Sequence, residues 1–441
     1  MKKTLCFFLS LILILSILCG CNNKEENPLE ISTETSNEIS NKNNIPELSV
    51  WDGSVASAFA GGDGSENDPY EISTAPELAF LAKAVNEGES FCGKYFSLNN
   101  DLNLNDLEWT PIGNGIHAFM GIFDGNGHII ENLRISQSIH YTYEYPTGKK
   151  AAYCDQGLFA TVQDATIRNI VIDGATIKIT DTKSDDTHQV GVLCGTVRTY
   201  QSTSIISNID IKNATITADF PTNQSPLSLR IGGAIGDIYA YNNTTTTISL
   251  IETVSSLSLA DSFSPRNSIG TILGSSIILD STFTLENCAA YQTLMPNPYQ
   301  YYYGVSDDFC GAIGKAQASV QPFTVKNVFS KLTINKPILE GNKYFDFEII
   351  AHAIIGKAYY FALKDDPNAV GYNFENVFGF IEHVDTKTGE KTISTELYEL
   401  PDGPTFAQIN CQGCEVLPEN HGFDATTWDL SDLAKPKLKK Q

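Results

Sequence analysis

Over long stretches of the chain apolar residues alternate with polar ones, the period of a strand with one buried face. The alternation slips phase at recurring places. In "IIENLRI" Ile130 and Leu133 are three apart, whereas Leu133 and Ile135 are two apart. If Ile130 and Leu133 both point inward, the chain must bend between them. Asn132 sits in that gap, and Asn tolerates the left-handed conformation a sharp bend needs. The same figure in "IRNIVI", "ISNIDI", "LENCAA", "VKNVFS" and "FENVFG" places Asn169, Asn208, Asn287, Asn327 and Asn376 at bends. In "IETVSS" Thr253 stands where Asn is expected. Successive bend positions are 34 to 49 residues apart.

A second figure precedes most of these bends. "GLFATV", "GVLCGTV", "GGAIGDI", "GTILGSS", "CGAIGKA" and "HAIIGKA" are short apolar segments, most opening on glycine, that start near residues 157, 191, 232, 270, 310 and 352. Each unit reads as a strand, a turn, a strand, an Asn bend and a further strand. No unit can bury its apolar face alone, but stacked coils can, through parallel ladders between successive turns. Asn side chains at equivalent bends then stack amide on amide. The pattern predicts an all-β chain, a right-handed parallel β-helix (solenoid) over residues 119–415. Helical repeats fit poorly, because period-two patterning and Thr, Ile and Val richness argue for strands.

The ends of a solenoid need covers. An N-terminal cap and first coil are expected over residues 49–118, with a short capping α-helix in "TAPELAFLAKAVNEG". Thr74 and Glu77 have capping-box spacing, Leu78, Leu81, Ala82 and Val85 form one apolar stripe, and Gly88 ends it. A C-terminal cap is expected over 416–441, where Trp428 and Leu430 are placed to plug the last coil.

The chain opens "MKKTLCFFLSLILILSILCGC", a charged start, an apolar run and small residues, which is the layout of a secretion signal over 1–20. Leu18-Cys19-Gly20-Cys21 resembles the lipobox of bacterial lipoproteins. That resemblance implies cleavage before Cys21 and its acylation, hence a bacterial cell membrane protein that faces outward on a lipid anchor. Residues 21–48 are rich in Asn, Glu, Ser and Thr and read as a disordered tether.

The formal net charge is −23, from 29 basic and 52 acidic residues, which disfavours nucleic acid and anionic lipid as partners. Of ten cysteines, seven lie beyond the signal: Cys92, Cys154, Cys194, Cys288, Cys310, Cys411 and Cys414. An odd number does not make a disulfide framework, and several sit in apolar runs as small core residues. Cys411 and Cys414 form a lone CxxC without the further ligands a zinc site needs.

"GGDGSENDPYEIST", "FCGKYFSLNNDLNL", "WTPIG" and "FMGIFDGNGHIIENLRI" together resemble the N-terminal portion of bacterial GLUG-motif surface proteins, and the coil units resemble their repeats. The resemblance implies an extracellular β-helix of the pectin-lyase-like class, surface display, and adhesion or glycan contact. It implies no single reaction. Such repeats also occur beside metallopeptidase domains, but this chain has no His-Glu-x-x-His. A lyase would need clustered Asp for Ca²⁺ and a basic residue, and a glycosidase paired carboxylates. The Asp pairs at 185–186, 307–308 and 365–366 sit in polar, loop-like stretches. No catalytic set stands out. Ca²⁺ is the one cofactor left open, at Asp63 and Asp68 in "GGDGSEND".

Long inserts recur between coils, and equivalent inserts should project from one edge. Two carry aromatic clusters: Tyr141, Tyr143 and Tyr145, then Tyr299, Tyr301, Tyr302 and Tyr303 beside Asp307 and Asp308. Tyr offers an apolar face and a hydroxyl, which suits sugars and protein partners. The expectation is a non-catalytic, membrane-tethered adhesion or recognition module that contacts glycan or a surface protein through this Tyr edge. An extracellular polysaccharide lyase or hydrolase, or a structural spacer, is the alternative.

Overall fold

The computed structural model describes residues 50–144, 150–180, 186–219, 228–259, 267–295, 308–318, 322–336, 351–352, 355–360, 372–393 and 421–439. The predicted signal, Cys21 and the tether lie outside the described residues, as do Tyr145, Tyr299, Tyr301, Tyr302, Tyr303, Asp307, Cys411 and Cys414.

Three parallel sheets run along the described coils. The long sheet stacks Thr166–Asp173, Thr203–Ala218, Thr245–Leu259, Thr282–Met295, Phe323–Lys336 and Tyr372–Asp385. A second sheet stacks Lys150–Gln156, Asp186–Gly191, Ser228–Gly232, Ser268–Gly270, Asp308–Cys310 and Ala351–His352. A third stacks Phe159–Gln163, Cys194–Thr199, Ile235–Ala240, Leu273–Ile278, Ile313–Ala318 and Ile355–Tyr360. Each coil passes through the second, third and long sheets in that order. The result is the right-handed parallel β-helix that the pattern predicts.

The glycine-bounded segments are packing devices. Gly195, Gly236, Gly274 and Gly314 follow register-matched partners in the third sheet. A Cβ on Gly236 would lie 2.4 Å from the Val190 nitrogen, and one on Gly274 would lie 2.6 Å from the Ile231 nitrogen. Third-sheet backbone therefore packs directly on second-sheet backbone at each corner. Much of the second sheet, including Lys150–Gln156 and the first four residues of Asp186–Gly191, falls in segments that the sequence pattern assigns to inserts. Their polar composition hides them: "DTHQVG", Asp186–Gly191, is buried throughout.

The long sheet bends at Asn169, Asn208, Asn287, Asn327 and Asn376, with φ between 51° and 58°. Asn208 donates its amide to Asn169 Oδ1 at 2.7 Å, Asn327 to Asn287 at 3.0 Å, and Asn376 to Asn327 at 2.9 Å. Two expected members do not belong. Ile248 pairs with Ile206 and Ile251 with Ile209, so Leu250, at φ 54°, occupies the bend and Thr253 does not. Thr253 is a buried strand residue whose hydroxyl donates to Thr271 O at 3.0 Å. The apolar Leu250 conceals the three-residue spacing of Ile248 and Ile251. Asn132, at φ 57°, is also a bend, but Ile129–Glu131 pairs with Val171–Asp173, which aligns it with Gly174. It belongs to a second bend series with Gly174 and Asn213, both at positive φ. The site matching Asn169 in that earlier coil is the Asp124-Gly125-Asn126-Gly127 turn, where Asp124 accepts the Asn169 amide at 2.8 Å.

The helix Ala75–Asn86 forms as predicted. Glu77 accepts the backbone N–H groups of Ser73 and Thr74 at 2.8 and 2.9 Å, tying down the helix start. Leu78, Leu81, Ala82 and Val85 enter the main core, which continues along the coils to Ile381. Cys194 and Cys288 lie in that core, Cys154 is buried, and Cys92 is exposed.

The C-terminal segment is a strap rather than a plug. Trp428 stacks on Phe423 with centroids 4.3 Å apart, and both pack against Ala289, Tyr291, Phe329, Phe378 and Phe380. These alternate with core residues Cys288, Ala290, Val328 and Val377, so they form the outer face of the long sheet. The Leu438 N–H donates to Glu252 at 3.0 Å, and the Tyr291 hydroxyl donates to Pro436 O. The segment thus crosses the flank of several coils. The edge of Tyr372–Asp385 is paired instead by the antiparallel strand Lys391–Ile393.

Candidate binding cleft

Side chains alternate across a strand, so residues next to core positions face outward. In the second sheet Val190 is core and Gln189 faces out. In the third sheet Val197 and Ile238 are core and Arg198 and Tyr239 face out. The outer faces of these two sheets border a cleft of about 570 Å³. It is lined by Tyr141, Tyr153, Tyr200, Tyr239 and Tyr241, with Gln189, Arg198, Gln201 and Asn242. Tyr141 and Tyr153 stack 5.6 Å apart at 23°, and Tyr200 and Tyr241 approach to 5.5 Å.

Buried charge fixes the walls. Asp155, 3% exposed, accepts the Tyr141 hydroxyl at 3.0 Å and the Thr161 hydroxyl at 2.7 Å. Arg198 donates to Gly115 O at 2.9 Å and to the Tyr141 hydroxyl at 3.2 Å. Asp237, fully buried, pairs with Arg230 and accepts from Gln189 at 2.7 Å. Gln189 and Arg230 both donate to the Tyr239 hydroxyl, at 3.0 and 2.6 Å. Burial pushes the Asp155 carboxyl above its usual range, with Arg198 opposing, and raises the Tyr141 and Tyr239 phenols. The two carboxylates lie beneath the rings and are engaged by donors. The arrangement is an aromatic surface over a polar floor in which two buried carboxylates are offset by two arginines.

Of the predicted Tyr edge, the described residues contribute Tyr141 to this cleft, but not from a projecting loop. His140–Glu144 is a strand antiparallel to Lys150–Gln156, and Tyr141 is 8% exposed. Tyr143 lies on the same strand, and Asp308 starts Asp308–Cys310. Tyr153, Tyr200, Tyr239 and Tyr241 do not stand out in the hydrophobic pattern. The available signal was register: "VRTY" and "IYAY" carry Tyr200 and Tyr241 at equivalent positions of adjacent coils.

Asp63 and Asp68 lie in a tight turn. Asp63 accepts the Ser65 N–H at 2.8 Å and donates its own N–H to Asp68 O at 3.0 Å. Among the described residues, the cluster with metal-ligand spacing is elsewhere: His140, Asp186 and His188.

No family model matches the chain, and no solved structure matches it. Halomucin from Haloquadratum walsbyi is 25% identical over 199 residues, 43% of this chain and 2% of that protein. A protein named as a Gly-rich membrane protein, from Evansella cellulosilytica, is 33% identical over 89 residues, 19% of this chain and 10% of that protein. The chain thus spans a small fraction of each relative, and its β-helix rests on its own strand pairing.

Proposed function

We propose that this protein is a non-catalytic recognition module, tethered to the outer side of a bacterial membrane through a lipid on Cys21, that binds glycan in the Tyr-lined cleft. The observation that carries this reading is the cleft itself: five tyrosines around a buried polar floor, to which Tyr141 and Tyr239 are hydrogen-bonded. Aromatic faces pack on the C–H faces of sugar rings, while fixed hydroxyl, amide and guanidinium groups meet sugar hydroxyls. Arg198 and Arg230 are balanced by Asp155 and Asp237, which suits an uncharged oligosaccharide better than a polyanion. The lipobox-like "LCGC" and the GLUG-like coils support envelope display. The membrane description of the Evansella relative agrees with that placement. Binding is favoured over catalysis because both floor carboxylates accept hydrogen bonds beneath the rings.

The test is a glycan array and cell-wall pull-down with the full chain. Binding to an uncharged oligosaccharide is expected, and the Tyr200→Ala/Tyr241→Ala variant should weaken it about tenfold or more, roughly 1.4 kcal/mol. No retention on any glycan or wall component would leave a spacer role as the better account.

A further inference from the structure

The same strands that line the cleft carry a different chemistry on their opposite face. Asp186 and His188 are two apart on one strand, in phase with the core residue Val190, so both face inward. His140 comes from the neighbouring antiparallel hairpin strand. It lies opposite Cys154, which lies opposite His188 on the other side. The intervening position is a small side chain, so the two imidazoles approach over it, with ring centroids 5.8 Å apart. The His140 Nδ1 contacts the Asp186 carboxylate. One donor atom from each of the three residues lies within 4.8 Å of the others.

We infer that His140, Asp186 and His188 form a binding site for a divalent first-row transition-metal ion. A tetrahedral ion with bonds of about 2.1 Å holds its ligand atoms roughly 3.4 Å apart. The donor atoms of the trio, already within 4.8 Å of one another, need close by little more than an ångström to reach that spacing. Imidazole and carboxylate together select ions such as Zn²⁺, Co²⁺ or Fe²⁺ over Ca²⁺, which takes oxygen donors. The position is otherwise built for packing, because the residue paired with His188 in the next coil is the core residue Leu229. Placing two histidines and a fully buried aspartate there departs from the solenoid rule, and a bound cation offsets the burial of that carboxylate. Three protein ligands leave a further position for water or a small ligand. His140, with its side chain 12% exposed, marks the side nearest solvent.

The full chain, stripped with a chelator and dialysed, is titrated with Zn²⁺ alone and with Co²⁺ alone. The expected result is one ion per chain, visible Co²⁺ absorption from a low-symmetry nitrogen and oxygen site, and a rise in the thermal midpoint. His140→Gln, at the hairpin edge, and His188→Gln should each weaken uptake by about tenfold or more. His128→Gln, which alters a surface histidine beside Asp101, should leave it unchanged. Absence of stoichiometric uptake by the unaltered chain, or uptake that survives both His140→Gln and His188→Gln, would overturn the site.

Discussion

Tyr200 and Tyr241 stand one coil apart, one residue beyond the paired Thr199 and Ala240, with rings 5.5 Å apart and inclined at 53°. Their rings, rather than their hydroxyls, are the surface that a flat ligand would meet. Tyr241→Phe should therefore keep affinity for the bound glycan within about threefold, whereas Tyr241→Ala should lose about tenfold or more. Titration calorimetry of the two variants checks this. Equal losses in both would move the recognition to the hydroxyl.

Leu250 interrupts the Asn ladder. A leucine at φ 54° carries a left-handed penalty of roughly 1–2 kcal/mol. Leu250→Asn relieves it and supplies an amide between Asn208 and Asn287. Because Leu250 is half-buried, some apolar burial is lost in exchange. The net expectation is a gain of about 1 kcal/mol, read as a higher urea midpoint at unchanged slope. A lower midpoint would show that Leu250 packing outweighs its backbone strain.

At the corners, Gly274→Ala has no room: its Cβ would meet Gly236 O and the Ile231 nitrogen, both at 2.6 Å. Backbone atoms of two sheets must shift, so a loss of about 1–3 kcal/mol is expected in chemical denaturation. Gly127→Ala, where a Cβ meets nothing within 4 Å, should lose less despite its positive φ. The reverse order would contradict the packing role of the glycine row.

The strap has its own pH dependence. Hydrogen bonds from Thr426 and Thr427 hold the Asp424 carboxyl at about 2. A depressed folded value means that the stabilisation is present above the unfolded value of roughly 3.9 and is lost as pH falls through the folded one. Acrylamide quenching of Trp428, taken as the difference from Trp428→Phe, should therefore rise between about pH 4 and pH 2. In Asp424→Ala the strap should already be looser at pH 7. Trp428→Ala should cost about 3–5 kcal/mol, because the ring fills a buried cluster.

Much of the fold was legible because solenoid repeats write their register into the chain. Asn at Asn169, Asn208, Asn287, Asn327 and Asn376 announces the left-handed bend, and the Ile-x-x-Ile spacing around it fixes the phase. The pattern failed where a residue broke its local rule: Leu250 bends without an amide, and Asn132 bends in a different series. Second-sheet strands such as Asp186–Gly191 escaped because polar inward residues imitate a loop. The cleft was partly legible for a related reason. Tyr clusters in one segment are conspicuous, whereas Tyr153, Tyr200, Tyr239 and Tyr241 converge from separate coils and are visible only once register is known.

The proposed recognition role places glycan in the outer cleft. Hydroxyl-radical footprinting of the full chain, with and without the tightest oligosaccharide from the array, addresses that directly. Protection of Tyr200, Tyr239 and Tyr241, with Tyr70 of the N-terminal cap unchanged, is the predicted result. Saturating ligand that leaves these three tyrosines as reactive as in the free chain would contradict it.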